Sequence, residues 1–216
     1  MAAPLKLYGY FRSSAAYRVR IALNLKGLTA DHAFIHLRRG EQDGDAYRGI
    51  NPNGLVPTLD HGGEFHTQSL AIIEYLEDLQ HDPPLLPAAA RDRAYARAIA
   101  LTIACDIHPL NNLRVLKYLK SDLGQDQAQV DRWYAHWIAA GLAALEARIA
   151  HDARTGTFCL GDTPGLAEVC LVPQMYNAER MRCDLEPYPV LRRIAAAACA
   201  VPAFAAAAPE RQYDAE

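Results

Sequence analysis

The segment Tyr10-Phe11-Arg12-Ser13-Ser14-Ala15-Ala16-Tyr17-Arg18-Val19-Arg20 constrains this chain more than any other. Before it, Leu5-Lys6-Leu7-Tyr8 alternates apolar and polar side chains in the manner of a short strand. After it, Ala15 to Lys26 carries helical spacing and meets Gly27, a residue suited to a left-handed helix stop. Two hydroxyls and a guanidinium therefore stand where a strand hands over to a helix. Free main-chain N–H groups at a helix start seat an anion, and Ser is also the ordinary residue at an N-cap. Ser13 and Ser14 are candidates for both roles.

The pattern continues as an alternation of short strands and helices. Asp31 to Leu37 alternates again, so strand–helix–strand predicts a parallel pair. Residues 45–50 predict a short helix, 55–60 a strand, 61–63 a turn and 64–67 the second strand of a hairpin. Ser69 precedes the apolar-faced run Leu70 to Leu76 as a candidate cap. His81 to Pro87 is proline-rich and breaks every regular pattern. Beyond it the chain is rich in alanine and predicts helices over 91–119 with a bend at Pro109, over 127–149, over 166–179 and over 190–199. Trp133 and Trp137, one turn apart, read as packing residues. The expected organisation is a βαβ–ββα domain over 1–82, a linker over 83–91 and an all-helical domain over 92–216.

Composition narrows the function. A net charge of −3 without any Lys/Arg block gives no electrostatic case for nucleic acid. No apolar run approaches the roughly 20 residues of a membrane span. Lys6 and Arg12 interrupt anything resembling a signal peptide. Cys105, Cys159, Cys170, Cys183 and Cys199 are odd in number with no C-x-x-C pair, which favours reduced thiols in a cytoplasmic protein and no metal site.

Two further junctions carry chemistry. Val56-Pro57 puts a proline inside an expected strand, where it removes a ladder donor; a cis bond there would free the Val56 main chain for another partner. Gln68-Ser69 sits at a second strand-to-helix junction, again where helix N–H groups point outward.

Taken with Y-F-R-S-S-A-A-Y-R-V-R-I-A-L-N-L-K-G, the segments N-P-N-G-L-V-P-T-L, Q-S-L-A-I-I-E-Y-L-E, D-I-H-P-L-N-N-L-R-V-L and L-V-P-Q-M-Y-N-A-E-R complete an ordered set. With them the chain resembles the zeta class of the glutathione transferases, which includes the maleylacetoacetate isomerases and the related maleylpyruvate isomerases. The likeness runs from about Leu5 to Pro189. It implies an α/β thioredoxin-like N-terminal domain with a mixed sheet, followed by an all-α C-terminal domain. It also implies glutathione as cofactor, a small acidic unsaturated substrate, and a homodimer that binds neither nucleic acid nor membrane.

By that resemblance Ser13 stabilises the glutathione thiolate with Ser14 beside it, and Val56 pairs its main chain with the cysteinyl portion next to cis-Pro57. Gln68 and Ser69 would hold the γ-glutamyl end, with Gln42, His108 and Asn112 as further contacts. Arg12, Arg114 and Arg180 would line the acidic substrate's pocket, a role that suits the planar, permanently charged guanidinium. The implied activity is isomerisation of maleylacetoacetate to fumarylacetoacetate in tyrosine and phenylalanine breakdown. The alternatives are maleylpyruvate isomerisation, general zeta-class conjugation or dehalogenation of small α-halo acids, and a non-catalytic interaction module. The chain departs from the family at Ala15, where a cysteine is common after the paired serines, and at Gly165-Leu166-Ala167-Glu168, where Ser/Thr-x-x-Asp is usual. The first departure argues against chemistry that needs a protein thiol. The second costs only a few tenths of a kcal/mol as a cap.

Overall fold

The computed structural model describes residues 3–216. They form two compact units, one running to Leu85 and taking in Ala200–Glu216, the other spanning Leu86–Cys199.

The first unit is built on strands β1 (Leu5–Gly9), β2 (Ala30–Phe34), β3 (Thr58–His61) and β4 (Glu64–Thr67), with helices α1 (Ser14–Leu25), α2 (Asp45–Arg48) and α3 (Ser69–Leu79). The sheet order is β2-β1-β3-β4. β1 pairs parallel with β2 and antiparallel with β3, and β3 continues antiparallel into β4. This is the expected mixed sheet. Leu7 and Leu59, opposite one another in register, bury with Val19 and Ile21 of α1 and Ile72 and Leu76 of α3. Gly27 takes φ +63°, as its position after α1 requires.

Several boundaries differ from the sequence reading, each for a local reason. β3 begins at Thr58 rather than residue 55, because the Leu55 carbonyl accepts from Tyr47 Oη and Asn51 Nδ2 and Pro57 has no N–H. β2 stops at Phe34, and His36 caps a 3-10 turn instead of extending the strand. Ser69 is the first residue of α3 and not its cap; Gln68 holds the cap position at φ 67°.

The C-terminal segment belongs with the first unit, whereas the sequence placed 200–216 in the helical domain. It forms α9 (Pro202–Ala207), whose Phe204 and Ala207 are buried against α1. Asn24 Nδ2 donates to Ala203 O at 2.9 Å and Arg20 Nε to Ala207 O at 3.0 Å. An apolar face this short has no periodicity to read, and only its burial on α1 declares it.

The second unit holds α4 (Ala90–Leu101), α5 (Leu113–Ser121), α6 (Gln127–Ala150), α7 (Leu166–Arg180) and α8 (Pro189–Cys199). The single bent helix expected over 91–119 is instead α4, a π-helical stretch (Thr102–Ile107), a 3-10 turn (His108–Asn111) and α5. Pro109 cannot supply the α-helical N–H, and Asn112 starts a new helix by accepting Arg114 N–H at 3.1 Å. α6, α7 and α8 follow their expected spans closely. Buried Glu168 fills the N-terminal role of α7, accepting Gly165 N–H and Cys159 N–H at 2.8 Å each. Ile99, Ile103 and Ile107 meet Ile138, Leu142, Leu171 and Leu191 in the unit's core. Trp133 Nε1 donates to Leu110 O at 2.8 Å, consistent with a packing role. Among the described residues no helix is long and apolar enough to cross a membrane, and no His/Cys/Asp/Glu group could hold a metal ion.

Candidate active site

β1 delivers the chain to Tyr10–Ser13, a tight turn closed by Ser13 N–H donating to Tyr10 O at 3.0 Å. Ser13 is the cap of α1, its Oγ accepting Ala16 N–H at 3.2 Å. That bond uses one acceptor lone pair and leaves the hydroxyl hydrogen available to donate to an external acceptor. Cap and chemistry are therefore compatible at this one residue. Ser14 follows at the first helical position and is buried. Arg12 is partly exposed, with Nη2 3.4 Å from the Tyr10 hydroxyl and its guanidinium 4.8 Å from the Phe11 ring centroid.

The second helix start is tied to the first. Arg18, one turn after Ser14, is 2% exposed and donates from Nη1 to Ser69 Oγ at 3.2 Å. The bond ties the second turn of α1 to the start of α3, and each helix start has free N–H groups and the positive end of its dipole. Gln68, directly before Ser69, is exposed and adopts φ 67°, ψ 115°. A left-handed non-glycine residue costs about 1–3 kcal/mol and is typical of ligand clamps.

The third part of the site is the loop before β3. Tyr47 Oη donates to Leu55 O at 2.7 Å and Asn51 Nδ2 donates to the same oxygen at 2.7 Å, while both side chains also reach Thr58 Oγ1. Burial pushes the Tyr47 phenol up, so it stays a neutral donor. With Leu55 so engaged, the main-chain N–H and C=O of Val56 meet no partner among the described residues, next to the cis Val56–Pro57 bond. Gly54 takes φ +61° and lets the Gln42 carbonyl approach; a Cβ there would lie 3.0 Å from it. Gln42 is buried, gives Nε2 to Asp43 Oδ2 at 2.9 Å, and leaves Oε1 buried with no hydrogen-bond partner. A buried orphan acceptor calls for a donor from outside the protein.

These residues fit a γ-glutamyl-cysteinyl-glycine. A hydroxyl donor at a helix start suits a thiolate, an extended main chain at Val56 suits a peptide, and a second helix start suits a terminal carboxylate.

The remaining sequence candidates lie in the second unit. His108 is in the 3-10 turn, Asn112 caps α5 and Arg114 follows it. Arg180 ends α7, one turn after Asn177. Tyr134 of α6 bonds their neighbours: Asn111 Nδ2 donates to its carbonyl at 3.2 Å, and its hydroxyl meets the Asn177 amide at 2.7–2.9 Å. Burial pushes the Tyr134 phenol up, with hydrogen bonds to Asn177 and Arg180 acting the other way. Sequence reasoning passed over Arg18, Tyr47, Asn51 and Tyr134. For Arg18 a signal existed, a lone arginine on the apolar face of α1; for the others none did.

The glutathione S-transferase N-terminal domain model matches residues 12–79. A probable maleylacetoacetate isomerase of Vibrio cholerae is 51% identical over 98% of this chain and 98% of its own. The holo structure of a maleyl pyruvate isomerase, a bacterial zeta-class glutathione S-transferase, superposes with a TM-score of 0.96 at 46% identity, covering 98% of this chain and 100% of that one. A maleylacetoacetate isomerase from Anaeromyxobacter dehalogenans, with dicarboxyethyl glutathione and citrate in its active site, gives a TM-score of 0.88 at 41% identity over 100% and 99% of the two chains. At that identity and coverage, the chain belongs to the zeta class of the glutathione transferases, the family of the maleylacetoacetate and maleylpyruvate isomerases.

Proposed function

We propose that this chain is a glutathione-dependent cis–trans isomerase that converts maleylacetoacetate to fumarylacetoacetate, acting as a cytoplasmic homodimer in tyrosine and phenylalanine breakdown. The observation that carries this reading is Ser13, whose Oγ accepts the Ala16 N–H and keeps its own proton available for a ligand at the start of α1. Bound glutathione would supply a thiolate that adds reversibly to the cis double bond, permits rotation about the resulting single bond and then leaves.

The chain's own residues prepare that step. Ser13 donates to the sulfur, and the α1 N-terminus favours its charged form. Ser14 offers its main-chain N–H beside it. Val56 pairs through its main chain with the cysteinyl unit, and Gln42 Oε1 accepts an N–H of the tripeptide. Gln68 and Ser69 receive the γ-glutamyl carboxylate. Arg12 grips a substrate carboxylate and offsets the negative charge that develops on the substrate. On the resemblance, His108 and Asn112 add glutathione contacts, and Arg114 and Arg180 bind the substrate's carboxylates. Ala15 offers no thiol, so the reactive sulfur is the cofactor's alone.

A second reading, maleylpyruvate isomerisation, is favoured by the 46% identity to the maleyl pyruvate isomerase. Spectrophotometric assay of both substrates, each with and without glutathione, decides between them. The expected result is turnover that requires glutathione and is faster on maleylacetoacetate. Turnover without glutathione, or none on either substrate, overturns the proposal.

A further inference from the structure

The turn that carries Arg12 and Ser13 is held from outside by the end of the chain. Asp214 Oδ2 accepts the Phe11 N–H at 2.9 Å. The Phe11 carbonyl accepts from Arg20 Nη2 at 2.9 Å, and the same guanidinium reaches back through Nε to Ala207 O at 3.0 Å. Both main-chain groups of Phe11, the residue directly before Arg12, are thus fixed by contacts that run to 207 and 214. Two residues further on, Glu216 is bonded to His36 Nε2. His36 Nδ1 accepts Arg39 N–H at 3.2 Å, so the ring proton sits on Nε2 and donates to the Glu216 carboxylate. His36 in turn opens the 3-10 turn that leads to Gln42, and its own N–H goes to Glu41 Oε2 at 2.7 Å.

We propose that Asp214 and Arg20 are positioning residues: by holding the N–H and C=O of Phe11 they set where Arg12 and Ser13 stand. The proposal rests on the glutathione reading given above. Its physical basis is the short lever between Phe11 and the site. The Phe11 ring lies under the Arg12 guanidinium, and the peptide that follows Phe11 also carries the N–H of Arg12. Arg20 holds that peptide through its carbonyl, and Asp214 holds the peptide before it, whose Tyr10 carbonyl accepts the Ser13 N–H at 3.0 Å, so a rotation of either peptide displaces Arg12 or Ser13. Arg20 is buried at 5% exposure and stacks on Tyr17 at 5.2 Å, so changing it would confound folding with positioning. Asp214 lies on a half-exposed tail and isolates the effect.

The test compares Asp214→Ala, Asp214→Asn and Tyr213→Ser, the last changing a neighbour that is 98% exposed. Asp214→Ala is expected to lower kcat about ten- to a hundredfold, as small misplacements of reacting groups do. It should raise the pKa of the bound glutathione thiol, read from its ultraviolet thiolate band, while thermal unfolding stays close to the parent's. Asp214→Asn retains an oxygen for the Phe11 N–H and should keep most of the activity. Tyr213→Ser should match the parent throughout. A ligand-free readout separates this proposal from the activity itself: amide hydrogen exchange at Phe11–Ser13 should accelerate in Asp214→Ala. Parent-like kcat and thiol pKa in Asp214→Ala overturn the proposal, as does an equal loss in Asp214→Asn. If the parent neither binds glutathione nor turns over, the glutathione reading falls by itself, and unchanged exchange at Phe11–Ser13 then overturns the strap as well.

Discussion

Arg18 Nη1 donates to Ser69 Oγ at 3.2 Å, joining the second turn of α1 to the start of α3 across 51 residues of sequence. The bond occupies one lone pair of the Ser69 hydroxyl and leaves its hydrogen available to donate, as at Ser13. It also places a buried positive charge behind the helix start that is assigned to the γ-glutamyl carboxylate. Arg18→Met should weaken glutathione binding about tenfold, the scale of one charge-assisted hydrogen bond. Isothermal titration calorimetry measures it, and unchanged affinity would remove Arg18 from the site.

Ser13 caps α1 and is the proposed donor to the thiolate, and two substitutions separate these roles. Ser13→Ala loses both and should cost about 1 kcal/mol of stability. Ser13→Gly loses the hydroxyl but costs only a few tenths of a kcal/mol as a cap. Both variants should show the same large fall in kcat and the same rise in the bound thiol pKa, while urea unfolding tells them apart. Activity that tracks stability across the pair would mean that Ser13 serves the helix alone.

Lys26, with a fully buried side chain at the end of α1, pairs with Glu77 of α3 and donates to His81 O at 3.0 Å and Pro83 O at 2.6 Å. Glu77 also accepts Leu85 N–H at 3.0 Å. Removing one partner strands a buried charge, so Lys26→Met should destabilise by about 3–5 kcal/mol. The double variant Lys26→Met/Glu77→Leu should recover part of that loss in urea unfolding. A loss below about 1 kcal/mol for the single variant would place the pair among weak surface pairs.

Gly141 of α6 is required by packing, not by its backbone angles. A Cβ there would sit 2.2 Å from Ile107 Cγ1 and 2.3 Å from Ile107 Cδ1. Gly141→Ala should therefore destabilise by about 1–3 kcal/mol through overpacking, despite the better helix propensity of alanine. Ile107→Val on that background should relieve part of the strain, which a double-mutant cycle would read as coupling. Additive effects would show that the two side chains do not compete for the same space.

The sequence made the strand-to-helix junction at Ser13, the Gly27 stop, the hairpin read as 55–67 and the long helix read as 127–149 legible, because each is encoded by neighbours. It misjudged Ser69, since a serine before an apolar run looks the same at the cap and one position later, and only the left-handed Gln68 separates the two. It also ran one helix through 102–112, where the chain instead forms a π-helical stretch and a 3-10 turn before Asn112 caps a new helix.

What the sequence determined by itself was therefore local and chemical: which residues could donate to a thiolate or grip a carboxylate, and which elements carry them. Only the tertiary structure decided how those groups are aimed. Ser13 Oγ is set by its bond to Ala16, the loop leading into Val56 by Tyr47 and Asn51 bonding the Leu55 carbonyl, and Phe11, beside Arg12, by Asp214 and Arg20. Orientation at a site depends on which partner takes each donor and acceptor. Of these partners Asp214 is distant in the chain, while the others are near in sequence and take their orientation from the folded loops and helices that carry them.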